Sequence, residues 1–553
     1  MKSRISSCDL RIFLKDLTRF APVWVEYSVF LLVVFYFIWG QEWDITGKYS
    51  WFLDLFAFVN AIYGFIVAVG LFGYLADPRE CNTVHAFPVR REEYFIIHLL
   101  SGFVMAVVPN FLFCLLNISL ISENILFIFW GLMLEFTFFY GLAIFSILLT
   151  GRKIAAATVY ALINWLSVLV LWAVEVIYLP LLPGIELNSN KFFKLCPVLG
   201  MSLETPNQLE LWYGISSGQM GYMQICALLG VGLMVVSLLL YRRRKLEYAG
   251  DFLAVKWLTP VFLFAFSIAC GCVLSLLGNV FFNESAEIML MVGLMVGYFS
   301  GLMLMKKNVK VFNLKSIAGA ALTAAIVLGS MFVTQADPFH RVEYVPQVED
   351  VAMVEAAPNE NYFDNYVSNL YPYHTEDPEV IADLTELHLT ILEAPKNTDR
   401  DYYRGYYVRY HLKNGQTVLR YYNIDDSDVN QSLRDQIDFY YSQPEAVLNF
   451  STLEELVQSC TGLEVTFYNN NEDFHFYVTG SNREQLLQTL FNDCKSGNMR
   501  TYIEYVADNT DNFYINFNFN NRDVYSGIAL PQSAEATRAL CYELLEKYKE
   551  TAE

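Results

Sequence analysis

Residues 74–95 read YLADPRECNTVHAFPVRREEYF, a polar stretch between two long apolar runs. It carries Arg79, Arg90 and Arg91, the acids Asp77, Glu80, Glu92 and Glu93, two prolines and His85, so it cannot lie in hydrocarbon. It is also longer than a tight turn between two helices needs. Pro78 is suited to start a short helix with Asp77 as its cap, and Pro88 to end the segment before Arg90 and Arg91.

The runs on either side set the frame. The chain has 553 residues, 55% hydrophobic and 17% charged, too apolar for a soluble protein of this length. Nine apolar runs, near 22–40, 51–74, 95–120, 125–149, 155–182, 221–241, 257–282, 286–305 and 315–335, are long enough to span about 30 Å of hydrocarbon. Basic residues precede the first run (Lys2, Arg4, Arg11, Lys15, Arg19) and follow the second, fourth (Arg152, Lys153), sixth (Arg242, Arg243, Arg244, Lys245, Lys256) and eighth (Lys306, Lys307, Lys310, Lys315). The alternate loops are poor in Lys and Arg, so the N-terminus is expected in the cytoplasm and the C-terminus outside.

The charge changes sharply after the ninth run. Residues 1–335 carry 22 basic against 20 acidic side chains, whereas residues 336–553 carry 15 against 37. The expected architecture is a polytopic α-helical membrane protein of about nine transmembrane helices followed by an acidic, extracytoplasmic α+β domain. Its divisions are an amphipathic interfacial helix over 1–21, a six-span core over 22–253, three additional spans over 254–335 and the outer domain over 336–553.

In the first division Leu10, Phe13, Leu14 and Leu17 recur at helical spacing, with Arg11, Lys15, Asp16 and Arg19 mostly on the other face. Asp9 is the expected N-cap, and Pro22 marks a break or a new helix start. In the outer domain Asn414 and Gly415 predict a hairpin, LEVTFYNNNEDFHFYVTG and the stretch 500–530 predict two more, and helices are expected near 377–392, 481–494 and 533–550, the last capped by Ser533. Cys460, Cys494 and Cys541 allow one disulfide there.

Chemistry-bearing motifs are sparse. There is no phosphate-binding G-x-x-x-x-G-K-[ST], H-E-x-x-H or G-x-S-x-G signature, so an enzyme, a bound cofactor and a metal site are not expected in this chain. His388 and His411 lack metal-ligand spacing. Acids within the spans are more informative, because a carboxylate in hydrocarbon is costly. Glu26 and Asp54 lie near span ends and Glu175 toward one, whereas Glu135 lies mid-span and is the intramembrane polar candidate.

The order of these features resembles the permease subunit of ABC-2-type transporters, carried by FLKDLTRFAPVW (13–24), NTVHAFPVRREEYFIIHLLSG (82–102) and LLYRRRKLEYAGDFL (239–253). The three later spans and the outer domain look like a clostridial-type, bacterial subgroup of such permeases. The resemblance implies an exporter in the plasma membrane, a permease dimer of like or unlike chains, and ATP hydrolysis on a separate ABC ATPase subunit. Partners are then that ATPase and the lipid bilayer, with no nucleic acid. It implies a coupling loop containing Asp77, Pro78, Arg79, Glu80, Pro88, Arg90, Arg91 and Glu92, and a second cytoplasmic contact at Arg152 and Lys153. The basic cluster 242–245 is expected to attract anionic lipid. A different class, a membrane-anchored sensor or ligand-binding protein acting through the outer domain, fits that domain's size and acidity and its Tyr-rich hairpins.

Overall fold

The computed structural model describes residues 6–40, 45–86, 89–118, 125–185, 195–202, 217–282, 286–357, 372–394, 403–425, 430–448, 450–468, 473–499, 512–519 and 522–552. The chain forms two compact units. One is Met1–Pro180 with Leu187–Val333, and the other is Leu181–Glu186 with Thr334–Glu553.

The first unit is helical: α1 (Ser6–Arg19), α2 (Ala21–Trp39), α3 (Ile45–Phe72), α4 (Pro78–His85), α5 (Arg91–Leu116), α6 (Ile125–Leu149), α7 (Lys153–Ala173), α8 (Pro197–Ser202), α9 (Ser217–Arg243), α10 (Thr259–Phe282), α11 (Ala286–Lys306) and α12 (Leu314–Ala336). Among the described residues nine of these, α2, α3, α5, α6, α7 and α9 to α12, are long and apolar enough to cross a membrane, and they coincide with the nine apolar runs. Pro22 sits in the first turn of α2, where its missing N–H costs nothing. Helix α1 is already formed at Ser6, so Asp9 lies inside its first turns and is not its cap.

The packing inverts the usual surface rule. Phe37, Leu116, Leu228, Phe281 and Phe332 are exposed, so the outside of the unit is apolar. Helix α6 lies at the centre, packed by α3, α5, α7 and α9. Gly141 of α6 meets Gly230 of α9 so closely that a Cβ on Gly141 would stand 2.4 Å from the Gly230 carbonyl oxygen, the small-residue contact that lets two backbones approach.

The second unit holds a duplication that the sequence pattern did not disclose. Its first module is β1 (Val351–Ala357), β2 (Tyr373–Thr375), α13 (Pro378–Glu393), β3 (Tyr403–Leu412), β4 (Thr417–Asp425) and α14 (Gln431–Tyr441). Two short helices, α15 (Pro444–Leu448) and α16 (Leu453–Ser459), lead to the second: β5 (Cys460–Tyr468), β6 (Asp473–Val478), α17 (Gly480–Lys495), β7 (Asn512–Phe519), β8 (Arg522–Ala529) and α18 (Glu535–Ala552). Both modules run ββαββα, and both sheets are antiparallel with the same order, β2-β1-β3-β4 and β6-β5-β7-β8. Even the bulge repeats, falling between Val351 and Met353 in β1 and between Cys460 and Gly462 in β5.

The three predicted hairpins are β3-β4, β5-β6 and β7-β8. Gly415 closes the first at φ +83, with its N–H on the Leu412 carbonyl. Helices α14, α15 and α16 were not expected. Ser533 does not cap α18: its hydroxyl donates to the Asn498 carbonyl at 2.6 Å. The Thr537 N–H in the first turn of α18 is instead taken by Asp493 of α17 at 2.9 Å, so the cap comes from another helix. Cys460, Cys494 and Cys541 are buried free thiols, each packed as a small hydrophobe.

Candidate functional site

At one end of the helical unit the C-termini of α3, α6, α9 and α11 meet the N-termini of α5 and α7, with α4 lying between α3 and α5. Asp77 caps α4 by accepting the N–H groups of Arg79 and Glu80, and Pro78 opens it. The inner face of α4 is pinned. Cys81 is buried, and the His85 Nδ1–H donates to the Cys81 carbonyl at 2.8 Å. That fixes the tautomer and leaves Nε2 to accept from the Tyr241 hydroxyl at 3.3 Å. Tyr241 in turn meets the Tyr74 hydroxyl at 2.8 Å. Burial holds His85 below the usual imidazole value, against the opposing pull of its carbonyl bond. Pro78, Arg79, Glu80, Asn82, Thr83 and Ala86 form the exposed face.

Arg244, just past α9, ties this end together. Its guanidinium donates to the carbonyls of Ile147, Leu148 and Thr150 at the end of α6 and to that of Leu75 beyond α3. These are the carbonyls a helix end leaves unpaired, and a cation suits them. The segment after Arg244 then crosses the turn between α6 and α7: the Gly250 N–H donates to the Gly151 carbonyl and the Ala254 N–H to that of Leu149. A Cβ on Gly151 would come within 2.0 Å of the Tyr248 oxygen, so only glycine fits. The Gly250 carbonyl accepts from Arg152 at 3.1 Å and Lys307 at 2.7 Å.

The residues expected to meet a partner are sorted by this arrangement. Arg79 and Glu80 face outward, and Arg90 is exposed with only a 4.0 Å approach to Glu93. Arg91 donates to the Arg244 carbonyl at 3.2 Å, and Glu92 pairs with Arg242 at 2.9 Å, so both tie the start of α5 to the end of α9. Arg152 is likewise engaged with Gly250, whereas Lys153 opens α7 and is exposed. Pro88 lies outside the described residues. Arg244 belongs to the basic cluster 242–245 expected to attract anionic lipid, and nothing in a run of Arg and Lys distinguishes the one that turns inward.

Two buried polar clusters lie deeper. Asp16 of α1, expected on its solvated face, is buried, with the His98 Nδ1 at 2.6 Å and the Ser101 hydroxyl at 3.2 Å, both on α5. The second cluster draws one side chain from each of four helices. Glu135 of α6 accepts from the Asn60 Nδ2 of α3 at 2.7 Å. Tyr27 of α2 reaches the Asn60 Oδ1 at 2.9 Å and the Asn110 Oδ1 of α5 at 3.2 Å. Glu135 has no exposed surface, and its Oε1 meets no hydrogen-bond partner. Glu26 is exposed and Asp54 and Glu175 half-buried.

In the second unit His388 bonds Tyr410 at 2.9 Å and Tyr422 at 2.7 Å, while His411 meets Glu355 at 2.7 Å beside Arg409. Among the described residues no group of three or more His, Cys, Asp or Glu is placed to hold a metal ion. Comparison of the chain with known protein families, curated proteins and solved structures finds no match.

Proposed function

We propose that this chain is a permease subunit of an ABC-2-type transporter, an exporter spanning the plasma membrane many times, and that a separate ATPase subunit docks on α4. The observation that carries this reading is the division of α4 into a pinned inner face and a free polar outer face, on a base formed by the α6–α7 turn and the segment after α9. A short rigid helix bonded to several longer ones can pass a push to them, which a loose loop cannot. Two such chains, alike or different, would enclose the path.

The apolar exterior of the helical unit supports a lipid surrounding. The two-unit partition supports the orientation. Leu181–Glu186 and Thr334–Glu553 form one unit, with the Gly184 carbonyl accepting from the Tyr421 N–H, so both belong on one side of a membrane. Among the described residues four of the nine long helices lie between them in sequence, and an even number of crossings returns the chain to the side it left. The basic loops favour the cytoplasm for the other side, with α4.

The test is copurification with an ATPase subunit, before and after reversing charge on the free face with R79E/E80K. Loss of association with unchanged thermal stability is expected. If association and stimulated ATP hydrolysis survive both this variant and replacement of residues 77–93 by a Gly/Ser linker, the docking assignment fails.

One observation favours the sensor reading as the alternative. A cleft of about 900 Å³ in the second unit is lined by Asp383, Glu386, Asp435, Phe439 and Tyr440, a set suited to a cationic ligand. Removing residues 336–553 separates the two: a transporter core keeps ATP-linked transport, a sensor loses its function.

A further inference from the structure

We infer that Glu135 is a proton-binding site at the centre of the helical unit, holding its proton in this packing and giving it up only when α2, α3, α5 and α6 separate. The inference rests on burial and hydrogen bonding and does not depend on the permease reading. Glu135 has no exposed surface, so no ligand larger than a proton reaches it without helix movement. Its Oε2 is committed to the Asn60 Nδ2 at 2.7 Å, while Oε1 has no partner. An ionised carboxylate here would leave a charged oxygen unsolvated. The neutral acid leaves only a hydroxyl, and a buried unpaired hydroxyl costs far less than a buried unpaired charge. The proton therefore sits on Oε1, since Oε2 already faces a donor.

The surroundings reinforce this. Among the described residues, the titratable groups whose charge reaches Glu135 are Asp54, six residues before Asn60 on α3, and the Tyr27 phenol of α2. Both would be negative when ionised, so neither favours a carboxylate at 135. Helix α5 contributes Asn110 and the Met133 neighbour on α6 itself offers only sulfur, with the Asn110 Nδ2 at 3.6 Å from it. Helices α7 and α9 also pack on α6, and among the described residues neither brings a cation that acts on Glu135. Separation of the helices would admit water, favour the carboxylate and release one proton. Closure would take one up, so the rearrangement itself is linked to pH.

Infrared spectroscopy of the full-length protein in lipid discs, with glutamate labelled at its carboxyl carbon, tests this directly. At neutral pH the expected spectrum has a protonated-acid carbonyl band that is lost in E135Q and retained in D54N. N60L provides a second reading that does not require E135Q to fold: removing the donor to Oε2 should shift the band to higher frequency. Absence of an acid band in the wild type, its survival in E135Q, or an unmoved band in N60L overturns the proposal.

Discussion

Arg244 shows how much one side chain can do when it ends up beside the wrong kind of neighbour for a lipid anchor. Its four carbonyl partners would lose this donor together, with the Ile147 carbonyl still holding the Thr150 N–H, and a hydrogen bond to a charged group is worth about 1.5–3 kcal/mol. R244M should destabilise the full chain in detergent by about 3 kcal/mol, and R244K should recover only part, since an ammonium cannot fork across four oxygens. Thermal unfolding of the two variants checks this; equal stability of R244M and wild type would return Arg244 to the membrane surface. His388 makes the same point in the other unit. By strand register Tyr410 opposes Val354 as Phe517 opposes Leu463. Tyr422 opposes Tyr406, whereas the Leu530 N–H bonds the carbonyl of Phe513 at the matching place. The buried spacing Leu384, Leu387, His388, Ile391 recurs as Leu487, Leu490, Phe491, Cys494. The polar trio His388, Tyr410 and Tyr422 thus occupies positions that the second module fills with Phe491, Phe517 and Leu530.

That comparison yields a pH prediction with a definite sign. Burial, helped by the Arg420 charge, holds His388 down to about 3. The folded unit therefore keeps it neutral where the unfolded chain, near 6.5, takes a proton. The stability it contributes is full above pH 6.5 and falls as pH drops toward 3, by about 1.4 kcal/mol per pH unit. Hydrogen exchange of the second unit at pH 7 and pH 5 should show that loss in the wild type. The triple variant H388F/Y410F/Y422L, built from the second module's residues, should show less of it. An identical loss in both would mean that His388 is not the group responsible.

At the scale of elements, the helices are held by contacts that tolerate little change in size. G141L places a side chain where the Gly230 carbonyl stands, and because the obstacle is backbone it cannot turn away. The expected cost is at least about 2 kcal/mol, seen as lost monodispersity or a lowered melting temperature, while a leucine at exposed Gly232, which has nothing within 4 Å, should be neutral. Equal behaviour of the two would mean that α6 and α9 do not pack this closely. Short elements followed similar logic. Helix α4 was legible because Asp77 and Pro78 are local start signals. The α18 cap was not, because Asp493 lies on a different helix, far away in sequence. Helices α14 to α16 were not legible because they are short and lie beside Tyr-rich segments that read as strand.

For the whole molecule the decisive statement is the number of crossings. On the proposed topology Lys310, between α11 and α12, faces the cytoplasm, and Gln416, in the β3–β4 turn, faces outward; both are exposed. Gln416→Cys should react with a membrane-impermeant thiol reagent on intact cells, and Lys310→Cys only after permeabilisation. Labelling of both on intact cells would break the nine-span count, and with it the proposed placement of α4 on the ATPase side.

The sequence by itself determined the nine apolar helices, the acid-rich α+β region, the hairpin at Asn414–Gly415 and the capped start of α4. Each is written in neighbouring residues, as hydropathy over about twenty positions or as turn and cap chemistry within three or four. Tertiary structure alone decided which of the loop charges turn inward, that Asp16 is buried against His98, and that Leu181–Glu186 belongs with the C-terminal unit. It also decided that Glu135 meets Asn60 and that the C-terminal unit is one module used twice. These depend on groups brought together from distant parts of the chain. In the duplication, equivalent positions share shape and burial rather than identity, so His388 and Phe491 look unrelated until they stand in the same place.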